Sequence, residues 1–378
     1  MPRAARTAVT VVFFASGAAY GSWVARVPSL QEGIDASKSE VGLALFGIAG
    51  GAVLMLPIAG WLTARLGSRL VTQAALVGLA ISLPLIGLAP SLLALALAFA
   101  AFGITGAALD LAMNAHGVAV ERGYGRPILS SFHAAFSLGG LAGAGSGGIA
   151  AALGVSPTAQ FLAASAVILG IALWSRSHLL PGHVDVAPGR VYGKPSRGLV
   201  ALAAIAFAAL LAEGAAGDWS GIYLNETLGT GEGAATVAFI GYSITMTVGR
   251  LVGDRLTSAW GEVRLTRVAG LLGAAGIAAA LLSSKPAVAV AGFACLGAGL
   301  STMIPTVFRA AGAAGSSPGA GIAAVSTVGY GAFLVGPPAI GFLADATSLP
   351  LALSLLVGLC ALIALLAGAT APAAEPPR

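Results

Sequence analysis

Long apolar runs, separated by short polar breaks, dominate the pattern of this sequence. A helix that crosses a bilayer needs about 20 predominantly apolar residues, and the runs at 70–109 and 127–175 are each long enough for two. Pro90 and the stretch 154–157 divide these runs, because proline and glycine favour turns. The pattern predicts twelve membrane-spanning helices, at 7–26, 40–63, 70–88, 92–119, 128–153, 157–175, 198–218, 233–253, 265–283, 286–308, 318–343 and 349–369.

The composition supports an all-α membrane protein. Hydrophobic residues make up 57% of the 378 positions and charged residues only 9%, with a mean hydropathy of +0.93. A soluble domain carries about 25% charged residues, so this chain has too few charges to cover a water-facing surface. The 19 Lys and Arg residues lie singly at the ends of apolar runs, which argues against a nucleic-acid partner despite the net charge of +5.

The positions of Lys and Arg predict the orientation in the membrane, since cytoplasmic segments carry an excess of both. With the amino terminus in the cytoplasm, Arg26, Lys38 and Lys285 fall on the outer side and the other sixteen basic residues fall in cytoplasmic segments. One missed or added helix would remove this bias. The sequence therefore predicts that both termini are cytoplasmic.

Two related halves are indicated by matches at a single offset. A shift of 189 residues, half of the 378-residue length, superposes like residues in two regions, with Gly60 on Gly249, and Ser137, Gly140 and Gly147 on Ser326, Gly329 and Gly336. Internal duplication of this kind is typical of secondary transporters. We predict a six-helix bundle at 1–175, a polar cytoplasmic linker at 176–197, and a second six-helix bundle with a short polar tail at 198–378.

The loop after the second predicted helix, GWLTARLGSR at 60–69, resembles the Gly-x-x-x-Asp-Arg-x-Gly-x-Arg loop of the major facilitator superfamily. A counterpart in the second half runs from 249 to 256. In that family these loops make cytoplasmic charge contacts that lock one face shut, which implies a latch formed by Arg65, Arg69, Asp254 and Arg255. Ala64 stands where the family usually has Asp, so Asp254 and Arg255 are the better candidates.

Two further stretches, GAALDLAMN at 106–114 and SSFHAAFSLGG at 130–140, resemble the fucose-permease branch of the superfamily, in particular poorly characterised members from bacterial inner membranes. The resemblance implies a proton-coupled symporter in such a membrane, with Asp110 and Asn114 in its functional positions. The permease also has an Asp in its first span, whereas Val24 occupies that position here. The carry-over of proton coupling is therefore incomplete.

Ionisable side chains inside apolar runs are the candidate site residues, because a charge at membrane depth is costly. Asp110 and Asn114 lie four residues apart and share one helix face. Turned toward a central cavity, they bind a polar solute while Asp110 takes up and releases a proton. Alternatively, Asp110 lies near the cytoplasmic end and pairs with Arg122 or Arg126. His133 lies near Asn114 if the fourth and fifth spans pack, and it either relays protons or is satisfied structurally.

Glu213, Arg26 and Tyr330 complete the candidate set. Glu213 follows a charge-free run and is expected in the outer half of the seventh span, where it supplies a second carboxylate or makes a structural hydrogen bond. Arg26 follows the first span and is expected to meet an anionic solute, to pair with Glu213, or to extend to the lipid headgroups. Tyr330 either stacks on a solute ring or serves as a packing residue.

These observations favour a secondary transporter. The sequence has no metal-ligand cluster, nucleophile motif or phosphate-binding loop, which argues against an enzyme or an ATP-driven pump, and no cofactor or metal is expected. The first hypothesis is proton-coupled symport of a sugar-like or other polar metabolite by alternating access. Proton-driven efflux of drugs or secondary metabolites is the second, and a membrane receptor or an enzyme is the third. The expected partners are a small solute, protons and the lipid bilayer, and the protein is expected to be a monomer.

Overall fold

The computed structural model describes residues 2–181, 196–230, 237–315 and 317–372. The predicted all-α fold is confirmed. The helices of the described residues are α1 (Pro2–Val24), α2 (Val27–Gly33), α3 (Lys38–Leu66), α4 (Ser68–Gly87), α5 (Leu92–Tyr124), α6 (Leu129–Ala152), α7 (Pro157–Ser175), α8 (Arg197–Ile222), α9 (Val237–Trp260), α10 (Glu262–Leu282), α11 (Pro286–Leu300), α12 (Met303–Ala314), α13 (Pro318–Ala346) and α14 (Leu349–Leu366).

Eleven helical segments of this described part are long and apolar enough to cross a membrane. They correspond to eleven of the twelve predicted spans. The exception is the predicted span at 233–253, where α9 carries Arg250, Asp254 and Arg255. The count of twelve spans and the cytoplasmic position of the termini therefore stay predictions.

Serine side chains start many of these helices. The hydroxyl of the residue before the helix accepts a backbone N–H from its first turn, which satisfies a donor that has no partner within the helix. The serines in this position are Ser37, Ser91, Ser156, Ser196 and Ser348. At α3 the Glu40 carboxylate also accepts the Ser37 N–H at 2.8 Å and so completes a capping box.

The segment predicted as one span at 286–308 is two helices. α11 ends at Leu300 and α12 begins at Met303, with Ser301 and Thr302 between them. Pro305 has no N–H to donate to the carbonyl of Ser301, so the regular hydrogen-bond pattern is interrupted there, as expected of proline inside a helix. By contrast, α13 continues through Pro337 and Pro338.

The described residues pack as two units. Unit 1 comprises Met1–Ile128, Phe132–Gly193 and Gly315–Ala323, and unit 2 comprises Leu129–Ser131, Lys194–Ala314 and Ala324–Arg378. Most of the predicted linker, residues 182–195, lies outside the described residues. The predicted division at 175 and 198 stays a prediction.

Glycines bring α1 and α6 of unit 1 into backbone contact. At each of four glycines an added Cβ would overlap a carbonyl oxygen of the facing helix: Gly17 with Phe136, Gly21 with Gly140, Gly139 with Phe14, and Gly143 with Ala18. Small residues permit this close approach between helices in a membrane. This packing places the amino-terminal half of α6, including His133, beside α1.

We expect Gly143→Ala to destabilise the protein by about 1–3 kcal/mol, because overpacking a tight interface forces the backbones apart. Gly145 supplies a matched control two residues further along α6, since a Cβ there meets no atom within 4 Å. Thermal unfolding of the purified variants in detergent measures the difference. Equal melting temperatures for the two variants would contradict the packing described.

Candidate functional site

Three polar side chains of unit 1 form a hydrogen-bonded chain between α5 and α6. Asn114 donates from Nδ2 to the Asp110 backbone carbonyl at 2.8 Å and to Asp110 Oδ1 at 3.1 Å. The Oδ1 of Asn114 lies 3.1 Å from His133 Nε2. Asn114 is fully buried and His133 is 7% exposed. The structure thus brings together the three residues that the sequence picked out in this region.

The direction of these hydrogen bonds fixes which atom of the His133 ring acts as the donor to Asn114. Asn114 uses its amide N–H groups on Asp110, so its carbonyl oxygen must accept from His133. Nε2 of His133 therefore carries a hydrogen. The edge of the ring packs against Phe13, with centroids 5.4 Å apart, so α1 holds the ring in this orientation. The Asp110 carboxyl and the His133 imidazole can each hold a proton, and the Asn114 amide links the two through hydrogen bonds.

Asp110 lies deep within α5. It follows Leu92 by 18 residues and precedes Tyr124 by 14, which places it about 27 Å and 21 Å from the two ends of the helix. Arg122 is twelve residues further along α5, about 18 Å away along the axis. A side-chain ion pair cannot span that distance. Asp110 and Arg122 therefore do not pair within α5.

An ion pair lies inside unit 2 between α8 and α9. Arg250 NH2 lies 3.7 Å from Glu213 Oε1, with side-chain exposures of 12% and 32% respectively. This separation exceeds a good hydrogen bond, so the attraction is largely Coulombic. Tyr242 lies two helical turns before Arg250 on the same face of α9 and is buried. Among the described atoms, its hydroxyl has no hydrogen-bond partner. The pair is therefore charged and partly accessible, and its Glu213 lies in a helical segment that is apolar enough to cross a membrane.

Arg26 is buried and bonds backbone groups within unit 1. It is only 3% exposed, so it does not extend to the headgroups. Its guanidinium donates to the carbonyl of Val155 at 2.6 Å and, more weakly, to that of Gly147 at 3.4 Å. Gly147 lies in the last third of α6, and Val155 follows the turn after that helix. Arg26 therefore satisfies backbone groups of its own unit, while Glu213 has Arg250.

His116, two residues after Asn114 in α5, has a structural environment. Its Nε2 accepts the Leu180 N–H at 3.0 Å, so its Nδ1 carries the hydrogen and donates to Ser68 Oγ at 2.7 Å. Arg69 donates nearby to the Arg176 carbonyl at 2.6 Å. These contacts attach the segment after α7 to α4 and α5.

The predicted latch residue Asp254 binds a helix start. Its carboxylate accepts the N–H groups of Ser130 at 2.8 Å and Ser131 at 2.9 Å, all three residues being part of unit 2. A negative charge at a helix amino terminus is favourable, because free N–H groups and the helix dipole point at it. Gly253 makes room for the contact, since a Cβ there would lie 2.7 Å from Ser130 Oγ.

The other predicted site residues have separate environments. Arg65 lies over the Trp61 ring at 5.6 Å, Arg255 is exposed, and Tyr330 packs edge-on against Phe333 at 5.9 Å. Arg69 bonds the carbonyl of Arg176, as described above. The latch of four residues stays a prediction, and of the four only Asp254 contacts the start of α6 among the described hydrogen bonds.

Two residues that the sequence reasoning missed are Arg250 and Glu121. Arg250 was assigned to a cytoplasmic segment, but α9 extends to Trp260 and keeps it within the helix. Glu121 is 7% exposed and accepts the Ile128 N–H at 2.6 Å, just before α6. The available signal was the position of Glu121 seven residues before Ile128. The turn between them contains Gly125 in the left-handed conformation. Glu121 therefore satisfies, within unit 1, a backbone donor just before α6.

Comparison with known proteins places this geometry in a family. Residues 8–313 match the model of the Major Facilitator Superfamily. The uncharacterized transporter y4wD of Sinorhizobium fredii is 34% identical over 364 residues, which cover 95% of this chain and 96% of that protein. An uncharacterized MFS-type transporter of Yersinia pestis is 33% identical over 364 residues, with coverage of 96% and 94%.

The fold is also that of a solved transporter. FucP in its outward conformation superposes with a TM-score of 0.83 at 16% identity, over 97% of this chain and 98% of FucP. A second structure describes FucP as the E. coli fucose:proton symporter, with a TM-score of 0.81 and 15% identity. At these identities the likeness concerns the fold alone. From the family match, the two relatives and the helical fold, the chain belongs to the Major Facilitator Superfamily and is a multi-pass membrane transporter, not an enzyme.

Proposed function

We propose that this transporter is a proton-coupled symporter of a sugar-like or other polar metabolite. It works by alternating access as a monomer with twelve spans in a bacterial inner membrane, with both termini cytoplasmic. The observation that carries the proposal is the Asp110–Asn114–His133 chain, in which Asn114 and His133 are buried and Asp110 is half-buried. Such groups are costly at membrane depth and are retained there for solute or ion pathways.

The hydrogen-bonded chain Asp110–Asn114–His133 has the chemical groups that proton coupling requires. Burial of a carboxyl group favours its neutral form, and a neighbouring hydrogen-bond donor favours its charged form, so the two effects oppose each other. Asn114 supplies such a donor to Asp110 at 3.1 Å. A polar solute that takes over the Asn114 amide removes this donor from Asp110 and promotes protonation. Solute and proton then bind together, which is the condition for symport.

Glu213 supplies a second carboxylate in this proposal. Position 24, where the resembled permease has an Asp in its first span, is Val24. Glu213 lies 16 residues into α8, about 24 Å from its start, and its 32% exposure leaves it accessible to a solute. Arg250 neutralises its charge. FucP, which shares the fold, is described as a fucose:proton symporter, and this adds support for the same class of activity.

Transport by the purified protein in proteoliposomes tests the proposal. Sugars, polyols and other small polar metabolites are offered singly, with and without an inward proton gradient. We expect accumulation of at least one solute that depends on the gradient and disappears with a protonophore. Transport that proceeds at the same rate with and without the gradient would overturn proton coupling. Movement of the solute in the direction opposite to the proton flux would indicate efflux by antiport.

We further propose that Asp254 is a latch whose release accompanies the transport cycle. The Asp254 carboxylate holds the first turn of α6 through two backbone N–H groups. His133, a member of the Asp110–Asn114–His133 chain, follows Ser131 by two residues in the same helix. A movement that breaks the cap therefore reaches the candidate site within one helical turn.

Asp254→Ala is expected to raise the reactivity of a cysteine placed at the start of α6 several-fold. Ser131→Cys is a suitable reporter, because the substitution keeps the backbone N–H that Asp254 accepts. Labelling with a membrane-impermeant maleimide measures the change. The control is Asp345→Ala, which removes the charge of an exposed carboxylate. Equal labelling rates in the two backgrounds would contradict the latch.

A further inference from the structure

A cavity at one end of unit 2 carries positive charge and an aromatic wall. It has a volume of about 380 Å³ and lies where α9 ends and α10 begins. Its wall contains Trp260, the side chains of Arg264 and Arg267, and Pro372. The Arg264 guanidinium lies 5.7 Å from the centre of the Trp260 ring. The cavity therefore offers two cations and an aromatic surface at a helix end.

The acidic residue in this wall does not cancel that charge. Glu262 is 8% exposed and pairs with Arg309, Nη1 to Oε1, at 3.0 Å. Arg264 and Arg267 are both exposed, and among the described residues neither has an acidic partner within salt-bridge distance. The balance of formal charge in the cavity is therefore positive, which suits an anion.

An apolar surface continues from the cavity along α10. Val268, Leu271 and Leu272 follow the two arginines and lie on the same face of the helix. Their exposures are 41%, 54% and 41%, and Trp260 is 43% exposed. Tryptophan is enriched at the headgroup level of membranes, and α10 is one of the helices apolar enough to cross a bilayer. Charge at the helix end and apolar surface beyond it match the two parts of a phospholipid.

We infer that this cavity binds an anionic glycerophospholipid. The phosphate lies between Arg264 and Arg267, the glycerol region contacts Trp260, and the acyl chains run along Val268, Leu271 and Leu272. Basic residues near a membrane surface attract anionic lipids, and arginine binds phosphate through paired N–H groups. A soluble phosphate compound shares the first contact but lacks the chains for the apolar face.

Lipid-dependent stabilisation and native mass spectrometry of the detergent-purified protein test this inference. Phosphatidylglycerol is expected to raise the melting temperature more than phosphatidylcholine and to remain bound in the mass spectrum. The Arg264→Ala/Arg267→Ala variant is expected to bind phosphatidylglycerol at least about 10-fold more weakly. The Arg264→Lys/Arg267→Lys variant keeps the charge and is expected to retain much of the binding.

Two controls separate this site from general charge and from a soluble anion. Arg3→Ala/Arg197→Ala removes the same number of exposed charges elsewhere and is expected to bind phosphatidylglycerol as wild type does. Leu271→Asn/Leu272→Asn is expected to weaken lipid binding. Equal responses to the two lipids, or equal binding by the two double-alanine variants, would overturn the inference. Stabilisation by glycerol phosphate equal to that by phosphatidylglycerol would instead identify a soluble-anion site and would also overturn it.

Discussion

Replacement of Asp110 by Asn is expected to lower proton-gradient-driven uptake by about 100-fold, the contribution typical of a positioned proton-transfer group. The physical reason is that an amide cannot take up and release a proton at this point of the chain. The new Asn still offers an oxygen to Asn114 Nδ2, which donates to Asp110 Oδ1 at 3.1 Å in the wild type. The fold and the solute contacts of Asn114 are therefore expected to remain.

The measurement compares two modes of transport in the same proteoliposomes. Gradient-driven uptake requires a proton to move, whereas exchange of internal for external solute at equal pH does not. Asp110→Asn is expected to lose the first and keep the second. Asp35→Asn is a matched control in the turn after α2. Loss of both modes together would indicate that Asp110 has a structural role, and retention of both would remove it from the mechanism.

Removal of one partner of the Glu213–Arg250 pair is expected to have the second largest effect. Arg250→Met leaves the Glu213 carboxylate, 32% exposed, without its cation. Breaking a buried pair in this way costs about 3–5 kcal/mol, and the partial exposure of Glu213 reduces the expected cost to about 2 kcal/mol. We expect a lower melting temperature together with reduced uptake.

A double-mutant cycle separates stability from transport at this pair. Glu213→Gln/Arg250→Met removes both charges and is expected to recover most of the stability that Arg250→Met loses, because no uncompensated charge is left. Uptake is expected to stay low, since the second carboxylate is absent. Full recovery of uptake in the double variant would show that the pair is structural only. The Arg309–Glu262 pair, at 3.0 Å, serves as a comparison outside the proposed site.

The helices could be predicted from the sequence because apolar length is a local property. The predicted span at 157–175 has the same bounds as α7, and the span at 286–308 covers α11 and the first half of α12. The break at Ser301 and Thr302 precedes Pro305, which removes a backbone donor there, whereas the apolar pattern predicted one continuous span. The short α2, which begins at Val27 just before Pro28, has too few residues for an apolar pattern to reveal it.

The contact partners of these side chains were harder to predict than their positions along the apolar helices. Asp110, Asn114 and His133 could be grouped because two of them share a helix face and the third lies near the start of the next helix. Arg250 could not be assigned to Glu213, because the sequence does not show which side of α9 faces α8. Three partners were expected for Arg26, and only the fold shows that it donates to the carbonyls of Gly147 and Val155.

Direct observation of proton movement tests the central claim that solute and proton travel together through the Asp110–Asn114–His133 chain. A transported solute is added to proteoliposomes in weak buffer with no imposed gradient, and the external pH is recorded. Wild-type protein is expected to cause an alkaline shift that a protonophore abolishes, while Asp110→Asn causes none. Entry of the solute without any pH change in the wild type, or the same shift in Asp110→Asn, would contradict the account.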